Sequence, residues 1–271
     1  MDETRKGTPS SEPPSPAESS PGRRDFLATA LGASGGVFAL LAGGGALATS
    51  AEAGGAKGDD RYDWEAHQWA YLIDTEKCIG CGSCVRACKA ENGVPDGYFR
   101  TWVERYLVAP DASHVDSPNG GLDGFAPVQT AFEPTKSFFV PKLCNHCKET
   151  PCVQVCPVGA SYRTKDGVVL VDGKSCIGCG YCVQACPYGS RFLSPETHTA
   201  EKCTWCYHRI TKGLKPACVE VCPTATRQFG DMKRDDDPVR LAIAHGRVQV
   251  LQANLLTEPQ AYYLGIDKEV R

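Results

Sequence analysis

The chain has 271 residues, with 29 Lys and Arg against 32 Asp and Glu, a formal net charge of −3 at pH 7 and 42 % hydrophobic residues. A chain of this length can bury a substantial core and has no need of a disulfide framework, and its near-balanced charge leaves no basic face for a nucleic acid partner. The composition departs from the ordinary in one respect, its 16 cysteines.

Residues 1–22 are rich in Ser, Pro and Glu and read as disordered. Gly22-Arg23-Arg24-Asp25-Phe26-Leu27 follows, and it resembles a twin-arginine export motif in its arginine pair and its Phe-Leu pair. Gly22 stands where such motifs carry Ser or Thr, and no lysine follows Leu27. Residues 27–48 carry no charge but are diluted by Gly32, Gly35, Gly36, Gly43, Gly44 and Gly45, which makes them a poor membrane anchor. Ala51-Glu52-Ala53 offers a small-x-small cleavage site. Residues 1–53 therefore read as a disordered N-terminus and signal peptide, and the mature protein is expected in the periplasm. Residues 239–251 are interrupted by Arg240, His245 and Arg247, so a membrane is to be reached only peripherally, through a partner.

Residues 69–74 form an apolar strand running into the first cysteine quartet, Cys78-x2-Cys81-x2-Cys84-x3-Cys88. Residues 98–108 and 136–140 are β-rich in composition, and the Pro-, Gly- and Asp-rich span 110–134 reads as a surface loop. The second quartet has a stretched inner gap, Cys144-x2-Cys147-x4-Cys152-x3-Cys156-Pro157. A strand over residues 167–172 leads into the third, Cys176-x2-Cys179-x2-Cys182-x3-Cys186-Pro187. Strand, Asp, then C-I-G-C-G thus occurs twice, an internal repeat. The fourth quartet has the longest gap, Cys203-x2-Cys206-x11-Cys218-x3-Cys222-Pro223. Residues 239–245 read as a short helix and residues 248–251 as a strand.

The spacing points to iron–sulfur chemistry. The first and third quartets match the bacterial ferredoxin run, in which three close thiolates hold three irons of one cubane and the fourth reaches another cluster. A C-x2-C loop turns its backbone amides inward, where they can hydrogen-bond to sulfur. The x3 gap is one helical turn, expected to face the fourth cysteine away from its own loop and towards a second cluster. Lys89 replaces the following proline in the first quartet alone. Zinc is satisfied by two C-x2-C knuckles and has no use for a triplet plus one. Covalent haem is excluded because no C-x-x-C is followed by His. Between the cysteines, His146 is read as a neighbour or surface residue rather than a ligand. Trp205 is read as core packing or a shield against water, and Arg209, Lys212 and Lys215 as a solvated face able to dock an acidic partner.

The order of quartets over residues 66–235 is similar to that of the four-cluster electron-transfer subunits of complex iron–sulfur molybdoenzymes. It resembles most the tetrathionate and polysulfide type in the runs Cys176 to Tyr188 and Leu214 to Cys218. The resemblance implies an α+β fold of two ferredoxin-like 4Fe-4S modules related by a pseudo-twofold axis, with a β-rich insertion. One module would comprise residues 66–90 with 200–235, the other residues 141–199; residues 91–140 would be the insertion and residues 236–271 a C-terminal extension. It further implies four 4Fe-4S clusters with crossed ligation. Cys222 would complete the set of Cys78, Cys81 and Cys84, and Cys88 that of Cys203, Cys206 and Cys218. Cys186 would join Cys144, Cys147 and Cys152, and Cys156 would join Cys176, Cys179 and Cys182. With every ligand position filled by cysteine, no iron is open to substrate, and the chain is expected to be non-catalytic. The implied partners are a catalytic oxidoreductase subunit and a polytopic quinone-interacting membrane subunit. The catalytic subunit would be a molybdopterin enzyme or, alternatively, a multihaem cytochrome or periplasmic hydrogenase.

Overall fold

The computed structural model describes residues 62–270; the signal-peptide reading falls outside them. In chain order they form β1 (Trp69–Asp74), α1 (Ser83–Asn92), β2 (Thr101–Ala109), β3 (Ala112–Asp116), β4 (Lys136–Leu143), α2 (Pro151–Gln154), β5 (Ser161–Arg163) and β6 (Val169–Val171). There follow α3 (Tyr181–Gln184), β7 (Arg191–Leu193), β8 (Ala200–Lys202), α4 (Tyr207–Ile210), α5 (Ala217–Glu220), β9 (Arg227–Asp231), α6 (Pro238–His245) and β10 (Ala261–Leu264). Small sheets and short helices alternate, an α+β fold.

The apolar run of β1 places it at the centre of a three-stranded sheet, antiparallel to β9 and parallel to β10. Ala70, Tyr71, Leu72 and Ile73 are all fully buried, because both faces of this strand are covered. Tyr71 and Ile73 point into the main core with Trp205, Cys203 and Cys218, while Ala70 and Leu72 pack on Val239 of α6. Complete burial of side chains such as Leu72 and Ile73 is worth about 1.5–3 kcal/mol each. Helix α6 starts on Asp237, whose carboxylate accepts the N–H groups of Val239 and Arg240, with Pro238 in the first turn, where its missing donor costs nothing. The other oxygen of Asp237 accepts the Asp231 N–H at 2.9 Å, which fastens the helix to β9.

The insertion is a second sheet, ordered β3-β2-β4, in which β2 pairs with β4 from Thr101↔Leu143 to Val108↔Lys136. The expected loop at 110–134 is therefore partly strand: β3 folds back on β2 through a turn at Pro110 and Asp111, and Val115 sits opposite Tyr106. Hairpins β5–β6 and β7–β8 complete the set. The strand expected at 248–251 reduces to an isolated bridge between Gln249 and Tyr263. The extended strand of this region is β10, whose buried Ala261 and Tyr263 belong to the main core, so the C-terminal segment completes the central sheet rather than extending from it. Among the described residues no helix is long and apolar enough to cross a membrane.

Candidate metal centres

Each quartet opens on a C-x-x-C loop that bends through the left-handed region at its third residue. Gly80 and Gly178 adopt φ of 68° and 69°, His146 and Trp205 adopt 42° and 52°. Glycine takes this conformation without penalty, and at Gly178 an added Cβ would meet the His198 carbonyl oxygen at 2.3 Å. Where His146 and Trp205 replace it, the strain of about 1–3 kcal/mol is offset by burial: the two rings stack at 4.0 Å and are 0 % and 1 % exposed. His146 is thus not a surface residue. Its Nδ1 accepts the Val169 N–H at 2.9 Å, and burial, together with the positive charge of Lys202, holds the ring neutral by moving its pKa well below the usual value.

Beyond each loop the third cysteine lies in a helix, Cys84 in α1, Cys152 in α2, Cys182 in α3 and Cys218 in α5. The fourth cysteine follows one turn on. That spacing puts it further along the same helical face, not on the opposite one, so the separation between sites comes from the rise of the helix. In the last three quartets the helix is a single turn before Cys-Pro. In the first, Lys89 allows α1 to continue to Asn92, where Gly93 caps it with a left-handed φ of 56°.

Two sets of thiols line voids. Cys78, Cys81, Cys84 and Cys222 line one, and Cys144, Cys147, Cys152 and Cys186 line the other. Four thiols around one void in both places suit two copies of one cofactor. Helix α1 packs on α5, which carries Cys88 towards Cys206 and Cys218; Asn92 Nδ2 lies 3.7 Å from the sulfurs of both Cys88 and Cys206. Cys203 interacts with Cys88 and Cys218. Helix α2, which precedes Cys156, packs on α3, which carries Cys182 of the third quartet. Cys222, Cys186 and Cys88 thus lie with thiols of quartets other than their own. Among the described residues no three His, Cys, Asp or Glu side chains converge tightly enough for a single metal ion, whereas a cubane spreads its four thiolates over four irons.

Donors point at these sulfurs. Amide N–H groups of Trp205, Ser161 and Ala200 reach Cys203, Cys156 and Cys176 at 3.4–3.5 Å. The hydroxyl of Tyr71 lies 3.2 Å from Cys218, and Arg191 Nη2 donates to Cys152 at 3.1 Å. Burial pushes the thiols of Cys78, Cys88 and Cys147 up to about 11, about 12 and about 12. Cys156, more open, is lowered, first by the Ser161 N–H. Burial would raise Cys222 too, but the backbone N–H of Arg227 and the Thr224 hydroxyl outweigh it and lower the pKa. A soft, amide-lined set of four thiols suits an iron–sulfur cluster, which takes its ligands as thiolates.

The cations expected to form a docking face are partly committed. Arg209 pairs with Glu91 and Glu220 and holds α4 to α1 and α5, while Lys212 and Lys215 remain exposed. Sequence reasoning missed three cations that are not exposed at all, Arg191, Lys202 and Arg227. The signal was present in two of them as Cys-Pro-x3-Arg, at Cys186 to Arg191 and Cys222 to Arg227.

Fold and thiol sets together define a ferredoxin-like protein. Two family models described as 4Fe-4S dicluster domain match residues 77–160 and 135–232. The B subunit of tetrathionate reductase from Salmonella typhimurium is 41 % identical over 84 % of this chain and 85 % of its own length. The subunit of the same name from Archaeoglobus fulgidus is 45 % identical over 78 % and 89 %. The corresponding component of polysulfide reductase from Wolinella succinogenes is 35 % identical over 73 % and 94 %. The protein belongs to this family of iron–sulfur subunits, and it is an electron-transfer subunit, not a catalytic one.

Proposed function

We propose that this chain relays electrons through four 4Fe-4S clusters between a catalytic oxidoreductase subunit, molybdopterin-dependent, and a quinone-interacting membrane subunit. The observation that carries the reading is the gathering of thiols from distant quartets, above all Cys222 with Cys78, Cys81 and Cys84 around one void. Each bound cluster would supply a one-electron couple. The sixteen cysteines named above would hold the clusters as thiolates, in the crossed sets, and the inward amides would stabilise the added charge. Contacts between sets support the order first, fourth, second, third: Cys84 interacts with Cys218, Cys203 with Cys144, and α2 packs on α3. Both ends of that order approach the surface. Ile79 and Ile177, in the first and third loops, are 59 % and 65 % exposed, and Cys179 is exposed, whereas Cys203, Cys206 and Cys218 are buried. That is the arrangement a conductor between two partners needs. Export by the twin-arginine route, carried by Arg23 and Arg24, would deliver the folded, loaded protein to the periplasm, where it would sit on the membrane through its partner.

Anaerobically purified protein should contain about 16 iron atoms per chain; zinc in place of iron would overturn the reading. Crossing is tested by substitution. Redox-titrated EPR of Cys88→Ser should disturb the same cluster as Cys206→Ser, and disturbance of the cluster altered by Cys81→Ser would refute the crossed sets.

A further inference from the structure

Three cations are buried where cations are rarely tolerated. Arg191, Lys202 and Arg227 are 5 %, 2 % and 2 % exposed, and among the described residues none is paired with a carboxylate; the foremost group acting on each is a cysteine, Cys152, Cys144 and Cys84 respectively. Arg227 spends one nitrogen on the Thr101 hydroxyl at 2.8 Å, while its Nε and Nη1 have no hydrogen-bond partner. A buried guanidinium that no carboxylate balances is too costly for a marginally stable fold to carry without a counter-charge. The missing charge must be something the side chains face.

What they face follows a pattern. Arg227 lines the void of Cys78, Cys81, Cys84 and Cys222 and also interacts with Cys218 of the fourth set. Lys202 donates to the Cys203 carbonyl at 2.6 Å and interacts with Cys203 on one side and with Cys144 and Cys152 on the other. Arg191 lines the void of the second set, donates to Cys152 and interacts with Cys182 of the third. One cation therefore stands at each junction of the order first, fourth, second, third. Two of them hold matching positions, each five residues past the last cysteine of its quartet and each opening a strand, β7 or β9. Lys202 stands opposite Arg191 in the β7–β8 register.

We propose that Arg227, Lys202 and Arg191 are internal counter-ions, each shared by two neighbouring iron–sulfur clusters, and that they raise and match the reduction potentials along the wire. The proposal rests on the ligand sets given above. A cubane with four thiolates is negative when oxidised and more so when reduced, and at low dielectric neighbouring clusters oppose each other's reduction. A fixed cation between two of them favours the added electron on either, so its charge acts on a pair. These are positioning residues, acting through the field they set.

Purified full-length protein, titrated redox-potentiometrically by EPR with iron counted in every sample, tests this. Arg227→Gln should keep its iron and shift the reduction equilibria of the first and fourth clusters at least tenfold towards the oxidised form, 59 mV for a one-electron couple. The second and third clusters should stay in place. Arg191→Gln should move the second and third instead, and Arg227→Lys, which keeps the charge, should keep the native potentials. Full iron with unmoved potentials, or equal shifts in Arg227→Lys and Arg227→Gln, would overturn the proposal. So would loss of clusters from both Arg227 variants, which assigns the guanidinium a packing role. Fewer than four clusters in the unsubstituted protein would instead remove the ligand reading itself, before any variant is compared.

Discussion

At the scale of single residues, protonation of the thiols is the property most open to measurement. An unfolded thiol titrates near about 8.5, whereas burial holds Cys78, Cys88 and Cys147 at about 11, about 12 and about 12. With iron removed, the folded form binds these protons more tightly than the unfolded one. Its stability from this source is fully present below about pH 8.5 and is lost as pH rises towards the folded values. Anaerobically chelated protein should therefore show a lower denaturant midpoint at pH 10 than at pH 7. Loaded protein should show no loss from this source, because iron has already displaced the protons; equal midpoints after chelation would contradict the burial argument. The cysteines were legible because ligand spacing is a local constraint written along the chain. Arg191 and Arg227 were passed over despite their shared Cys-Pro-x3-Arg position, since a charged side chain is read by default as solvated, and only their burial in the fold reverses that expectation. The same holds for His146, whose place is set by a ring from a segment some sixty residues away, as the numbering of Trp205 shows.

Among the elements, α1 departs most from the repeat. Three quartets stop their helix with Cys-Pro after one turn, and Lys89 lets the first run over Ser83–Asn92. The extra turn delivers Asn92 to the sulfurs of Cys88 and Cys206, and Lys89 itself donates to the Pro95 carbonyl at 2.7 Å. Lys89→Pro should cost about 3 kcal/mol, through the lost helical hydrogen bond and the ring clash, and should alter the EPR signal of the cluster that Cys206 serves. A variant with an unchanged melting curve and spectrum would mean that the helix has no work to do past Cys88. Element prediction was accurate where one strand buries both faces, as in β1, and weaker where pairing is decided at a distance. β3 alternates inside a Pro- and Gly-rich span whose composition hides it, and β10 is a short strand stabilised by its parallel neighbour rather than by its own pattern.

For the molecule as a whole, the central sheet ties together the two ends of the described chain. Tyr263 of β10 is fully buried and donates its hydroxyl to the Pro141 carbonyl at 3.4 Å, and Ala261 packs in the same core. Deleting residues 261–270 should cost at least about 3–5 kcal/mol, the range for removing one large core side chain. Thermal unfolding checks this, and an unaltered transition would show that β10 is dispensable. The interleaving also bears on time. Cys78 leaves the ribosome long before Cys222, and β1 long before the two strands that flank it, so the first thiol set and its sheet stay open until nearly all of the described chain has been made. Iron acquired early would find only half-built sites. On the proposed ligand sets, cluster insertion at the first and fourth positions therefore waits for Cys218 and Cys222, whereas the second and third sets are complete once Cys186 has been made.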